Sequence, residues 1–180
     1  MIDYSDHGVV WYAMKTVYKK ELQAKAYLDS RGIENFIPMV RDNSGRLGRK
    51  QEILKPAVHN LLFIKTDLAE LNDIKTSLNY LHNKLITVEE GLSAPIIVPT
   101  RYMEQFIDAM TNHLNKITYI DLSITELEKG TPVRVLEGEF KGYEGELAKT
   151  KGKRNRVVNV ILKGVAAFKF EVEACCIEKI

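Results

Sequence analysis

Gly130-Thr131-Pro132-Val133-Arg134-Val135-Leu136-Glu137-Gly138-Glu139-Phe140-Lys141-Gly142-Tyr143-Glu144-Gly145-Glu146-Leu147 is the stretch of this 180-residue chain whose reading decides the fold. Val133 and Val135 alternate with polar neighbours, so a strand here places both on one inner face. Gly138 and Gly142 bracket a tight connection that calls for positive φ, and Phe140 between them is expected to fold back as a plug. Gly145 is expected to mark a bulge that bends the next strand. Short β-rich runs at residues 131–136, 145–149, 156–162, 167–172 and 175–180 alternate with glycine turns. Five such strands in so short a span fit a small barrel, which removes sheet edges. The glycines of this half, with Val157, Val158 and Val160, disfavour a helical alternative.

Upstream the texture differs. Residues 9–17 are β-branched and aromatic and read as a buried strand. Residues 19–31 read as a helix with Leu22, Ala26 and Tyr27 on one face and Gly32 as its stop. A second strand is expected over 35–40, with Pro38 favouring an edge or an entry position. Residues 41–55 are polar and form a long hairpin arm, and 58–65 supply a third strand. Asp67 is a good N-cap before a helix over 68–78 with Leu71, Ile74 and Leu78 on one face. A short strand over 84–88, a turn-rich loop over 89–99 and a helix from 101 to about 114 complete this half. The last helix carries Met103, Phe106, Ile107 and Met110 as its apolar stripe. The fold class expected is therefore an α+β antiparallel-sheet domain over 8–114, a linker over 115–128, and a small β-barrel over 129–180.

Composition bounds the function. Hydrophobic residues at 45% suffice for two packed cores, and 28% charged residues suit a soluble surface. No run approaches the roughly 18 apolar residues of a membrane span. The first eight residues carry two aspartates and no basic cluster, so a cytoplasmic protein without a membrane partner is expected. A net charge of +2 excludes a polycationic nucleic-acid coat but leaves room for local basic patches. Cys175 and Cys176 are adjacent and read as reduced thiols whose side chains point to opposite faces of a strand. With four scattered histidines they show no ligand spacing, so no metal and no cofactor is expected. Neither a nucleophile–base pair nor a carboxylate dyad is implied, and the expectation is a binding protein rather than an enzyme.

The stretch from Gly130 resembles the KOW motif of NusG-type transcription factors and of some ribosomal proteins. The matching positions are Gly130, Val133, Val135, Gly138, Phe140, Gly142 and Gly145. Trp11-Tyr12 looks like the opening of the NusG N-terminal (NGN) domain, and Ala94-Pro95-Ile96 before the helix near 101 is similar to that domain's "API" segment. Asn60-Leu61-Leu62-Phe63-Ile64 sits where the family has a proline-glycine or proline-asparagine strand followed by tyrosine and aliphatics. The resemblance runs from about residue 9 to 180 and departs at two positions: His59 stands for the family's proline and Leu61 for its tyrosine. That departure favours a specialised paralogue similar to the RfaH-like and UpxY-like operon-specific antiterminators, of which the latter act on capsular polysaccharide operons.

The resemblance implies a transcription elongation or antitermination factor with an NGN-type domain and an SH3-like KOW barrel. It implies that an apolar depression grips the clamp helices of RNA polymerase. By position the contacts are Val58, Leu61 and Phe63, with Tyr12 a weaker addition. A helix-in-groove contact of this kind needs an exposed apolar patch. The arm carries Arg41, Arg46, Arg49, Lys50 and Lys55 against Asp42 and Glu52, which suits a phosphate backbone. In the family that region lies near upstream or non-template DNA. The tethered barrel would recruit a ribosome or a termination factor, tethering making weak contacts sufficient. A second basic run, Lys149, Lys151, Lys153, Arg154 and Arg156, reads as a solvated hairpin tip. A ribosome-associated or RNA-binding KOW protein is the alternative, and Trp11-Tyr12 and Ala94-Pro95-Ile96 argue against it.

Overall fold

The structure, a computed structural model, describes residues 8–42, 53–87, 93–120, 130–148, 155–162 and 165–180. It divides into two compact units, Met1–Thr100 and Arg101–Ile180.

The first unit is built on β1 (Val10–Thr16), which is central because both of its faces are apolar. It pairs antiparallel with β5 (Leu61–Thr66) on one side and with β6 (Leu81–Asn83) and β9 (Ile97–Val98) on the other. β2 (Asn35–Phe36) is the outer strand beyond β5. The register sets Tyr12 opposite Ile64 and Met14 opposite Leu62. These four side chains form one buried cluster with Ala24 and Leu28 of α1 (Glu21–Ser30) and Leu71 and Ile74 of α2 (Leu68–Ser77). The sheet therefore carries both helices on the same face.

Helix α2 follows its sequence signals: the Asp67 side chain accepts from the Glu70 N–H at 2.8 Å, and Leu71, Ile74 and Leu78 are buried. Helix α1 ends as expected at Gly32. The Ile33 N–H donates to the Leu28 carbonyl at 3.0 Å and the Gly32 N–H to that of Asp29 at 3.1 Å, a Schellman closure. Its buried face is not the expected one. Glu21, Ala24 and Leu28 face the sheet, while Leu22 and Ala26 are exposed and Tyr27 is half-buried. The reason is the entry turn, where Tyr18 and Lys19 both have positive φ. The helix thus starts with Glu21 turned inward, where Thr16 and His59 meet its carboxylate.

Three further expectations change in detail. The strand over 35–40 is split at Ile37-Pro38 into β2 and β3 (Met39–Asp42), because proline cannot donate to a ladder. β5 begins only at Leu61, since Asn60 at φ 66° closes a turn through Val58 and His59. The strand at 84–88 and the loop after it become β7 (Leu85–Thr87), paired with β8 (Ser93–Pro95), before the chain returns to the main sheet as β9.

In the second unit α3 (Thr100–Asn112) precedes β10 (Thr118–Ile120), β11 (Thr131–Val135), β12 (Glu144–Leu147), β13 (Asn155–Leu162), β14 (Ala166–Glu173) and β15 (Ile177–Lys179). The last five match the five strands read from the sequence. β10 lies inside the stretch read as a linker and pairs with β14. All six form one antiparallel sheet in the order β10-β14-β13-β12-β11-β15. Among the described residues this ladder is open rather than the closed barrel expected, with β10 occupying the free edge of β14 and β15 that of β11. Val133, Val135, Val158, Val160, Phe168 and Phe170 supply its core.

The expected bulge at Gly145 is also absent. The β11–β12 register runs from Thr131↔Leu147 to Arg134↔Glu144 without a skipped residue. What requires glycine there is closeness: an added Cβ would overlap the Asn159 carbonyl oxygen of β13. Gly138 and Gly142 do adopt positive φ, 87° and 85°. Residues 174–176 form a short 3-10 turn rather than the start of the last strand. The two cysteine side chains therefore do not point to opposite faces; their sulfurs lie 3.8 Å apart.

Candidate partner-binding surfaces

Of the four expected polymerase contacts, Leu61 and Phe63 lie on β5, Tyr12 on β1 and Val58 in the turn before β5, and strand alternation sorts them. Leu62 and Ile64 face the helices, so Leu61 and Phe63 face the other side of the sheet. Tyr12 shares the face of Ile64 and belongs to the helix-covered core. The structure thus brings Leu61 and Phe63 together but sets Tyr12 apart from them. Exposure is 3% for Leu61, 0% for Phe63 and 2% for Tyr12, so none presents the exposed patch expected of a groove. Val58, in the turn before β5, is partly exposed. Burial, and then the nearby charge of Asp67, push the Tyr12 phenol above its ordinary range.

A polar cluster that sequence reasoning missed fixes the start of β5. Glu21 is buried, its Oε1 3.3 Å from Nδ1 of His59, and its Oε2 accepts from the Thr16 hydroxyl at 3.5 Å. The Asn60 side chain accepts from the Lys19 N–H at 2.8 Å. His59 thus anchors its turn through a buried carboxylate. The same cluster holds Tyr18 at the tip of the neighbouring turn, 87% exposed. One signal was available in the sequence: Glu21, Ala24 and Leu28 have helical spacing, but an acid at the first position masked the stripe.

The base of the arm is the β3–β4 hairpin, β4 being Ile53–Pro56, with Val40 opposite Lys55 and Arg41 opposite Leu54. Cross-strand partners share a face, so Arg41 and Lys55, both exposed, point to opposite sides of the ribbon. Arg46, Arg49 and Lys50 lie outside the described residues, as do Lys149, Lys151, Lys153 and Arg154 of the second basic run.

The KOW-like turn is enclosed within its own unit. Phe140 stacks on Phe170 with ring centroids 4.0 Å apart and meets Tyr143 edge-on at 5.4 Å, the plug expected. Helix α3 covers this turn. Phe106 meets Phe168 at 5.9 Å and His113 meets Phe140 at 4.9 Å. Met103, Phe106, Ala109 and Met110 are the buried stripe of α3, and Ile107 is only half-buried. The Tyr143 hydroxyl donates to Asp108; burial and then this bond push the phenol far above its usual range. Burial opposes ionisation of Asp108, yet the bonds from Tyr143 and Asn112 hold its carboxyl below the ordinary range. Glu144 is buried and pairs with Arg101, and with Arg134 at 2.7 Å. Burial works against its charge too, but the two guanidiniums prevail and lower it.

An α+β platform with a hairpin arm, joined in one chain to a strand-rich module built on the 130–147 motif, defines a two-module binding protein. Residues 9–107, more than half of the chain, match the family described as "Transcription termination factor nusG". The chain belongs to the NusG family, whose members are non-enzymatic transcription factors that bind RNA polymerase. It is similar to the protein of "Domain interaction in Thermotoga maritima NusG", at 17% identity and a TM-score of 0.42 over 96% of this chain and 97% of that one. It is also similar to a chain of the MjSpt4:Spt5 complex in conformation B, at 11% identity and a TM-score of 0.29 over 94% and 96%. No curated protein matches it. Among the described residues no helix is long and apolar enough to cross a membrane.

Proposed function

We propose that this NusG-family chain is an operon-specific elongation and antitermination factor of the cytoplasm, of the kind that serves capsular polysaccharide operons. The first domain binds the clamp helices of RNA polymerase, and the C-terminal module recruits a ribosome or a termination factor. The observation that carries the reading is the family match over residues 9–107, with the His59 and Leu61 departures favouring a specialised member. The polymerase contact uses Val58 and the Leu61–Phe63 face of β5. Because Leu61 and Phe63 are buried, engagement follows only once that face is uncovered. Tyr12 supports the same strand from the core side. The arm, with Arg41, Arg46, Arg49, Lys50 and Lys55, follows upstream or non-template DNA.

The test is co-purification of the full chain with RNA polymerase, followed by transcription through a pause site. Val58→Glu, folded by circular dichroism, should lose binding, while Leu61→Ala should weaken it with the fold retained. Undiminished binding by both variants would exclude this strand as the contact. For the arm, DNA affinity should fall with salt at a slope of about 0.9 per phosphate contacted. Replacing Arg46, Arg49 and Lys50 by alanine should flatten that slope; an unchanged slope would remove the arm from the reading.

A further inference from the structure

The turn after β14 gathers three ligand atoms that the linear spacing did not suggest. Cys175 Sγ and Cys176 Sγ are 3.8 Å apart, and Cys175 Sγ is 3.7 Å from Glu173 Oε2. All three donors lie within 4.8 Å of one another. Two thiolates on a tetrahedral zinc-class ion, each about 2.3 Å from the metal, stand about 3.8 Å apart. A thiolate and a carboxylate oxygen at about 2.1 Å stand about 3.6 Å apart. The two separations in the turn match two edges of such a tetrahedron. The third, from Cys176 to Glu173, is no more than 4.8 Å, which a rotation of the exposed Glu173 carboxylate would shorten.

Two features of the fold hold the set together. The 3-10 turn at Ala174–Cys176 replaces extended backbone, in which neighbouring side chains would diverge. The turn is anchored on both sides: β14 ends at Glu173, and the Cys176 carbonyl accepts from the Leu136 N–H at 2.8 Å. Cys176 and Glu173 also line a cavity of about 840 Å3 within this unit, together with Glu137. Glu173 and Cys176 thus open onto solvent-accessible space that a further carboxylate also lines.

We propose that Glu173, Cys175 and Cys176 form a binding site for one thiophilic divalent cation of the zinc class. Three protein ligands leave the fourth position to water. Two soft sulfur donors select zinc-class ions over magnesium or calcium, which take oxygen ligands. No electron transfer is involved: each thiol that ligates gives its proton to solvent, and the metal–sulfur bond replaces the sulfur–hydrogen bond.

Cobalt(II) titration of the reduced full chain under inert gas tests this, because thiolate-to-cobalt charge transfer and tetrahedral d–d bands appear only with sulfur ligation. Wild type should develop both bands, saturating at one cobalt per chain, and zinc should abolish them. Cys175→Ser and Cys176→Ser should each lower the charge-transfer absorbance per bound cobalt to about half and weaken binding, since one thiolate of two remains, and Glu173→Gln should weaken binding at least tenfold. Far-UV circular dichroism of all three should match wild type, since the side chains are exposed or half-exposed. No sulfur band in wild type, a charge-transfer band of undiminished intensity in either serine variant, or saturation at one metal per two chains would each overturn the proposal. Glu173→Gln alters no thiol, so it tests the third ligand even if a serine variant misfolds.

Discussion

Gly145→Ala would show what closeness, rather than turn geometry, demands of the KOW-like motif. The added methyl meets the Asn159 carbonyl oxygen and lies 2.9 Å from Cγ1 of Val158, both on β13. The valine can turn; the backbone carbonyl cannot, so β12 and β13 must part. Forcing an extra methyl into a packed core costs about 1–3 kcal/mol. The upper end applies because separation also strains the Glu146↔Asn159 and Leu147↔Val158 pairing. Gly138→Ala is the control: its φ is 87° and an added Cβ meets nothing within 4 Å, so only the left-handed conformation is penalised, by about 1 kcal/mol. Native-state hydrogen exchange of β12 and β13 amides is the assay, because it reads one unit of a two-unit chain without assuming two-state unfolding. A loss of about 3 kcal/mol lowers protection by roughly 150-fold, against about fivefold for the control. A Gly145→Ala effect no larger than that of Gly138→Ala would refute the close-approach argument.

Phe140→Ala removes the ring stacked on Phe170 and should cost the C-terminal unit about 3–5 kcal/mol, measured by the same exchange experiment. Asp67→Ala removes the α2 cap and should cost about 1 kcal/mol, with Asp67→Asn close to neutral. Trp11, the only tryptophan, lies in that unit, so its fluorescence follows the transition. Glu144 gives a pH dependence of known sign. Its carboxyl is held below the ordinary range in the fold, so its contribution is complete above the unfolded value and disappears as pH falls through the lowered one. Acid titration of stability should therefore be shallower in Glu144→Gln, and that variant should be weaker at neutral pH because Arg101 and Arg134 lose their shared partner.

What the sequence made legible follows from where each element's information lies. Helix α2 has its cap and its apolar stripe within twelve consecutive residues, 67–78, so local pattern and tertiary packing agree. The 130–147 motif likewise carries its own turn glycines and its own plug. Helix α1 misled because a buried acid begins its inner face, and only the fold supplies the Thr16 and His59 groups that satisfy it. β8, β9 and β10 are two or three residues long, and their partners alone make them strands. The candidate contact strand was legible as a strand but not as a surface. Leu61 through Ile64 is apolar on both faces, and sequence alternation does not say which face the rest of the chain covers. The cysteine turn was unreadable for the same reason: residues 174–176 leave extended geometry to bring β15 beside β11.

The strand at Thr118–Ile120 determines where this chain can be cut. It occupies backbone donors and acceptors along β14 that no other described strand takes. A fragment started at the motif itself, near residue 130, would leave that row bare, a template on which a second copy could add a strand. A fragment started ahead of residue 118 would keep its own cover and the better prospect of staying monomeric.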